Sequence, residues 1–192
     1  LVAEREKLRV DIVQHTKNMN DDIGLPSYDE LINYMEKKYE KKDYKGYIIN
    51  YLIINFNTRN QDLLFDIVKL KRDTKDVSKN YLRYEPNTKM VVYKRNVYKT
   101  AKTYDSIENR ICDPKFIDAF KKIQKIQLKD PLDPAGIFIK NPSSLSTYVL
   151  KYTLMEIGEG KYLKAIINNF KGNLQKLKLI SSNRGTSIKT LL

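Results

Sequence analysis

Apolar and polar positions divide the chain into a helical first part, a short stretch of strands and a helical last part. After Ser27 the apolar side chains recur at helical spacing, at Leu31, Ile32, Met35 and Tyr39. Glu30 lies three residues beyond Ser27, which is the spacing of a capping box and predicts that a helix begins there. A second helix, apolar on nearly every side and therefore buried, is predicted over residues 47–54.

The apolar period changes from helical to alternating in the middle of the chain. Residues 80–84, 89–94 and 106–111 predict three strands, because apolar and polar side chains alternate along them. A Pro-Asn pair marks the turn between the first two strands, and residues 101–105 mark the turn between the last two. The three strands are therefore predicted to form a small antiparallel meander.

Helical spacing returns after the Asp-Pro pair at residues 113–114. Helices are predicted near residues 114–128, 145–157, 161–171 and 174–192. A charged helix is also predicted over residues 1–19, so residues 1–25 are expected to form an N-terminal helix and linker, and residues 26–192 the main domain. The pattern predicts an α+β fold, mainly α, in which a helical domain carries a small three-stranded antiparallel sheet.

The charge of the chain indicates a polyanionic partner. Thirty-six Lys and Arg residues against 23 Asp and Glu residues give the 192-residue chain a net charge of +13. Such an excess attracts polyanions, of which nucleic acid is the usual one. A lysine-rich surface that only reflects a biased genome composition explains the same number, and the charge alone leaves both interpretations open.

Cysteine and histidine are too rare for several kinds of chemistry. One cysteine, Cys112, excludes an internal disulfide, and one histidine, His15, excludes a metal site built on several histidines. No metal and no cofactor are therefore predicted. The longest apolar run, residues 47–56, is too short for a bilayer, and no signal peptide is visible. We expect an intracellular protein (nucleus, viral factory or bacterial cytoplasm) that is not secreted and has no membrane partner.

The first chemical motif is Asn57-Thr58-Arg59-Asn60-Gln61-Asp62-Leu63. A buried helix ends here, Asn57 tolerates a left-handed conformation, and an arginine stands just before a predicted new helix. The motif resembles the first box of tyrosine recombinases (integrases), a hydrophobic helix followed by a turn and Arg-x-x-Glu-Leu. Arg59 matches the arginine and Asp62 the acid. The alternative is an ordinary surface salt bridge on one helical turn.

Two further motifs follow in the order that this family has. Lys99, in Val97-Tyr98-Lys99-Thr100, lies at the tip of the second predicted hairpin, where the family carries a catalytic lysine; Lys102 is the alternative. Near the end, Arg184 matches the second arginine, Thr186 the threonine, and Leu191 and Leu192 the leucines of the second box. Ser181 stands where the family has His or Lys, and Gly185 replaces its common second histidine. Taken one at a time, the motifs have ordinary alternatives: Lys99 as a solvated lysine at a hairpin tip, and Arg184 as an exposed arginine on a helical turn.

The resemblance covers residues 27–192 and implies site-specific DNA strand cleavage and rejoining, the chemistry of DNA recombination and viral or phage DNA integration. Arg59 and Arg184 would clamp the non-bridging phosphate oxygens, with Ser181 in the position of the accessory residue. Lys99 would protonate the departing 5′ oxygen. The family's tyrosine, which forms a 3′-phosphotyrosyl link, follows the second box, whereas the last tyrosine here is Tyr162. We therefore interpret the chain as cut off before the nucleophile, or as a relative that lost cleavage.

Double-stranded DNA is the partner that the resemblance implies, with a homo-oligomer on the DNA as a further possibility. The candidate phosphate contacts, besides the catalytic set, are Lys94, Arg95, Lys102, Lys176 and Lys178. The competing interpretation is a catalytically inactive, basic structural or nucleic-acid-binding protein, for example of a virion. A helical RNA-binding domain is also compatible with the composition, although no RNA-binding motif supports it.

Overall fold

The computed structural model describes residues 24–103, 105–129, 136–140 and 142–191. The predicted helix over residues 1–19 lies outside these ranges. The helices are α1 (Tyr28–Glu40), α2 (Tyr44–Phe56), α3 (Pro114–Gln127), α4 (Leu145–Leu150), α5 (Gly158–Asn169), α6 (Leu174–Arg184) and α7 (Ile188–Leu191). The strands are β1 (Phe65–Val68), β2 (Asn80–Glu85), β3 (Met90–Arg95) and β4 (Ile107–Ile111). Short 3-10 turns cover Asn60–Leu63, Lys71–Thr74 and Leu154–Glu156.

The first two helices follow the prediction closely. At the start of α1 the Glu30 amide donates to Ser27 Oγ (3.2 Å) and the Ser27 amide donates to Glu30 Oε2 (2.7 Å), so the capping box is confirmed. The middle of α2 is buried on nearly every side, as its sequence predicts. Asn57 ends α2 in the left-handed conformation, with φ at 52°. The turn after α2 therefore has the geometry that the sequence indicates.

The sheet has four strands in the order β1-β2-β3-β4, so the prediction of three strands is wrong in its count. The predicted antiparallel meander is confirmed as β2, β3 and β4. The added strand, β1, pairs in parallel with β2. It lies in the segment after Arg59, in which the sequence predicted a new helix and the structure has a short 3-10 turn followed by this strand. All four of its residues are buried, so the sequence lacks the alternation that marks a half-exposed strand. Residues 136–138 bond to its outer side through Ile67 and Phe65.

One face of the sheet packs against the helices, and the alternation of β3 decides which side chains lie there. Val91 and Tyr93 belong to the core together with residues of α2, α3 and α5. Arg95 is two residues beyond Tyr93 and therefore shares this inner face. Lys94 lies on the opposite face, beside its cross-strand neighbour Glu108. The sheet thus places one arginine of β3 inside the protein and the adjacent lysine outside.

The last part of the chain is helical, but its helices are shorter than predicted. The helix expected over residues 145–157 ends at Leu150; Thr153 is extended (ψ 150°) and Met155 takes a left-handed conformation (φ 54°), so the helix does not continue to residue 157. The helix expected over residues 174–192 is divided by Gly185, which also has a positive φ (55°), a conformation that glycine adopts without strain. The fold is thus α+β, mainly α. None of the helices within the described ranges is long and apolar enough to cross a membrane.

Candidate functional site

The turn after α2 carries Arg59, and a hydrogen bond holds the backbone amide of this residue in place. Asn57 reverses the chain direction through its left-handed conformation, and Arg59 follows in an extended conformation. Asp62, at the third position of the 3-10 turn, accepts a hydrogen bond from the Arg59 amide at 3.0 Å. The alternative interpretation, a surface salt bridge between Arg59 and Asp62, is wrong, because the Asp62 carboxylate is fully buried and binds the backbone amide of Arg59.

Arg59 and Arg184 lie side by side, although 125 residues separate them in the sequence. Arg59 Nη1 donates to the backbone oxygen of Arg184 at 2.7 Å. In return, Arg184 Nη1 donates to the backbone oxygen of Asn57 at 2.9 Å. The two motifs that the sequence predicts to act together are therefore joined by reciprocal hydrogen bonds at the ends of α2 and α6.

A carboxylate accompanies Arg184. Glu159 Oε1, in the first turn of α5, lies 2.9 Å from Arg184 Nη2, and both side chains are largely buried, with exposed fractions of 17% and 11%. Burial lowers the pKa of the Arg59 guanidinium, and the positive charge of Arg184 lowers it further. Arginine nevertheless stays protonated at neutral pH. The site thus holds two adjacent cations with one carboxylate beside them.

A second layer of polar side chains lies beneath Arg59. Tyr93 Oη donates to the backbone oxygen of Asp62 at 2.5 Å, and Arg95 Nη1 lies 3.4 Å from Asp62 Oδ2. Asp62 and Arg95 are both fully buried. Burial raises the pKa of Asp62, while the amide of Arg59 and the positive charge of Arg95 act in the opposite direction. Two side chains of β3 therefore hold the turn that carries Arg59.

The loop between β3 and β4 brings Lys99 to the same region. Thr100 Oγ1 donates to the backbone oxygen of Gly185 at 2.6 Å, so the residues that follow Lys99 and Arg184 are in direct contact. Lys99 itself is exposed, as is Lys102. Neither lysine forms an ion pair with a residue that the structure describes. The structure therefore places the three predicted catalytic positions, Arg59, Lys99 and Arg184, around one corner of the fold.

Ser181 lies one helical turn before Arg184 and is buried. Its hydroxyl donates to the backbone oxygen of Thr186, which helps to close the end of α6 at Gly185. A contact between this hydroxyl and a phosphate would require that hydrogen bond to break. In the present conformation Ser181 shapes the backbone that carries Arg184.

The predicted phosphate contacts have different positions. Lys102, Lys176 and Lys178 are exposed. Lys178 lines a pocket of about 370 Å³ together with Ser181, Gly185 and Thr186, which places it beside the end of α6. Lys94 lies on the sheet face opposite to Arg95. The prediction of a phosphate contact is wrong for Arg95, because this side chain is fully buried. It lies between Asp62 and Asn109, and its Nη2 donates to Asn109 Oδ1 at 3.0 Å.

Several residues that build the site were not singled out by the sequence. Glu159 stands in Gly158-Glu159-Gly160, a segment that was interpreted as the separation between two helices. Thr100 is part of the lysine motif but had no assigned role. The burial of Arg95 had a sequence signal, because the alternation in β3 puts it on the same face as Tyr93. No local signal indicates the pairing of Glu159 with Arg184, which depends on the packing of α5 and α6.

No protein-family model matches this chain, and no curated protein or solved structure is significantly similar to it.

Proposed function

We propose that this chain binds double-stranded DNA by its phosphates, and that Arg59, Arg184 and Lys99 form the phosphodiester site of a strand transferase that resembles the tyrosine recombinases. The observation that carries the proposal is the direct contact of Arg59 with Arg184 beside the loop of Lys99. Two adjacent guanidinium groups match the non-bridging oxygens of a phosphodiester, which they bind through charge-assisted hydrogen bonds. The net charge of +13 supports a polyanionic partner.

The proposed reaction exchanges one ester bond for another. A tyrosine hydroxyl gives its proton to water as its oxygen attacks phosphorus, the bond between phosphorus and the 5′ oxygen breaks, and Lys99 gives a proton to that oxygen. The return step reverses this exchange. Tyr93 and Tyr98, the two tyrosines that most closely precede Lys99, have hydroxyls that donate to the backbone oxygens of Asp62 and Asp105. Neither is therefore assigned as the nucleophile; the resemblance places that tyrosine after Arg184, whereas the last tyrosine of this sequence is Tyr162.

Replacing Arg59 by alanine is expected to weaken binding of a short DNA duplex by about eightfold at roughly 0.1 M salt. Losing one phosphate contact makes the fall of log affinity with log salt less steep by about 0.9. If both proteins bind equally at roughly 1 M salt, this difference in slope amounts to about eightfold in affinity at roughly 0.1 M salt. Fluorescence anisotropy over a range of salt concentrations measures both quantities. The control is Arg72→Ala, which removes the same charge from an exposed 3-10 turn. Equal effects of the two substitutions would contradict the proposed site.

Replacing Glu159 by glutamine is expected to tighten DNA binding by about threefold to tenfold, since the carboxylate competes with phosphate for Arg184 and adds a repulsive charge. Glutamine keeps an oxygen that accepts from Arg184 Nη2. The matched control is Glu156→Gln, at an exposed position three residues earlier. Weaker binding by Glu159→Gln would mean that the carboxylate positions Arg184 and does not compete with the ligand.

The second candidate function is a protein that binds DNA without cleaving it. The observation that favours this function is that Arg184 already uses Nη1 and Nη2 for Asn57 and Glu159. A labelled, nicked duplex distinguishes the two functions. A band that stays retarded on a denaturing gel, and that Arg59→Ala removes, reports a covalent protein–DNA link and overturns the second function. Arg59-dependent binding without such a band shows that this chain binds DNA without cleaving it.

A further inference from the structure

The loop that carries Lys99 is fixed at its base by one buried side chain. Asn80, at the start of β2, is 2% exposed. Its Oδ1 accepts from the amides of Asn96 and Val97, both at 2.8 Å, and its Nδ2 donates to the backbone oxygen of Val97 at 2.9 Å. The amide side chain thereby satisfies the first backbone groups beyond β3. The loop consequently leaves the sheet in a set direction.

The middle of the loop is closed by its own hydrogen bonds. Tyr98 is buried, and its hydroxyl donates across the loop to the backbone oxygen of Asp105 at 2.6 Å. The amides of Ala101 and Thr103 donate to the backbone oxygens of Tyr98 and Thr100, which gives two successive turns. Lys99 stands between the buried Tyr98 and Thr100, and its own side chain is exposed.

Thr100 connects this ordered loop to the end of α6. Threonine hydroxyls in loops commonly bond to backbone groups a few residues away. The hydroxyl of Thr100 instead reaches Gly185, which is 85 residues distant in sequence and directly follows Arg184. The backbone oxygen of Gly185 is available for this contact because the left-handed conformation of Gly185 ends the helix there.

We infer that Thr100 is a positioning residue, whose hydroxyl holds the Lys99 loop against the end of α6 so that Lys99 and Arg184 face one phosphate. The inference rests on the proposed function for the role of Lys99, while the contact itself does not. Consecutive Cα atoms are about 3.8 Å apart, so a hydrogen bond one residue beyond Lys99 and one beyond Arg184 limits how far the two can separate. Order that exists before DNA binds lowers the entropy cost of binding.

Two substitutions separate the hydroxyl from the shape of the side chain. Thr100→Val removes the hydroxyl and keeps the branched shape, whereas Thr100→Ser keeps the hydroxyl. Hydrogen exchange of the free protein reads the contact without DNA: in Thr100→Val we expect the amides of Ala101 and Thr103 to exchange at least about tenfold faster, and in Thr100→Ser at the rate of the unmodified chain. Unchanged exchange in Thr100→Val would overturn the inference.

The affinity of the variants for a DNA duplex then tests the role of Lys99. Lys99→Ala is expected to weaken duplex binding by about eightfold at roughly 0.1 M salt. Thr100→Val should produce most of this loss, Thr100→Ser none of it, and the double variant Lys99→Ala/Thr100→Val no more than Lys99→Ala alone. Additive losses, or normal binding by Thr100→Val, would overturn the positioning role.

The proposed function can fail separately. If Arg59→Ala and Lys99→Ala both bind DNA like the unmodified chain, the phosphate site is rejected whatever the exchange rates are. If Arg59→Ala weakens binding and Lys99→Ala does not, the arginine site remains, and the role of Thr100 in positioning Lys99 is overturned. Coincident losses in Lys99→Ala and Thr100→Val, together with faster exchange in Thr100→Val, support both proposals.

Discussion

Replacing Arg95 by methionine is expected to lower the free energy of unfolding by about 3–5 kcal/mol at neutral pH, because it leaves the buried carboxylate of Asp62 without its ion-pair partner. Methionine fills most of the volume of the arginine stem, so the loss reports mainly the charge and not a cavity. Urea unfolding followed by circular dichroism measures it. Since Asp62 bonds to the Arg59 amide, the same variant is also expected to loosen the turn that carries Arg59.

The pH dependence identifies the cause of this loss. Burial already raises the pKa of Asp62, and removal of Arg95 takes away a charge that lowers it. The carboxyl group of Arg95→Met therefore has a pKa further above its unfolded value of about 3.9. A raised pKa contributes stability that is present below the unfolded value and is lost as pH rises through the folded value. We expect Arg95→Met to be less destabilised at about pH 5 than at about pH 8.

Two comparisons control this experiment. Arg110→Met makes the same substitution on the neighbouring strand, where the arginine is half exposed and pairs with Glu85 and Glu108; it should cost about 0–1 kcal/mol. The double variant Arg95→Met/Asp62→Asn removes both charges and keeps an oxygen for the Arg59 amide. It should be more stable than Arg95→Met by about 1–3 kcal/mol. Strictly additive losses would contradict an energetic link between Arg95 and Asp62.

Replacing Asn50 by leucine is expected to lower the free energy of unfolding by about 1–3 kcal/mol for each buried polar group that loses its hydrogen bond to Asn50. Two such groups lie on other parts of the chain. Asn50, fully buried in α2, donates to the backbone oxygen of Tyr152 at 2.8 Å and accepts from Tyr162 Oη at 2.8 Å. Leucine has a similar shape but no polar atom. Thermal and urea unfolding measure the loss.

The matched control for Asn50→Leu lies on the same helix. Asn50 also donates to the backbone oxygen of Gly46, four residues earlier, at 2.7 Å; Asn55 makes the same bond to Tyr51 at 3.1 Å, but it is exposed. Asn55→Leu should therefore change the free energy of unfolding by no more than about 0.5 kcal/mol. A similar loss in both variants would show that helix propensity, and not the buried junction, determines the effect.

The junction around Asn50 has a consequence for the candidate site. Tyr162 Oη also accepts from the Leu154 amide at 2.5 Å, and Thr153 Oγ1 accepts from the Gly158 amide at 3.2 Å. These bonds fix the connection from α4 to α5, which leads directly to Glu159. The position of the carboxylate beside Arg184 therefore depends on polar contacts in the core, as the position of Arg59 depends on Arg95 and Asp62.

Sequence patterns predicted the parts of the fold in which interacting residues are close along the chain. The capping box of Ser27 and Glu30, the left-handed Asn57 and the antiparallel meander all depend on bonds between neighbouring residues or on a regular side-chain period. The missing strand β1 shows where this reasoning stops. A four-residue strand that is buried on both faces has no alternation, and only its partner β2 distinguishes it from a helical turn.

The sequence by itself determined which residue types the candidate site contains, namely two arginines and a lysine in a fixed order along the chain. Only the tertiary structure decided that Arg59 contacts Arg184, that Glu159 pairs with Arg184, that Thr100 bonds to Gly185 and that Arg95 is inside and not on the surface. The physical reason is sequence distance. These contacts join elements 25 to 125 residues apart, and their geometry follows from how helices and sheet pack together, which no local pattern encodes.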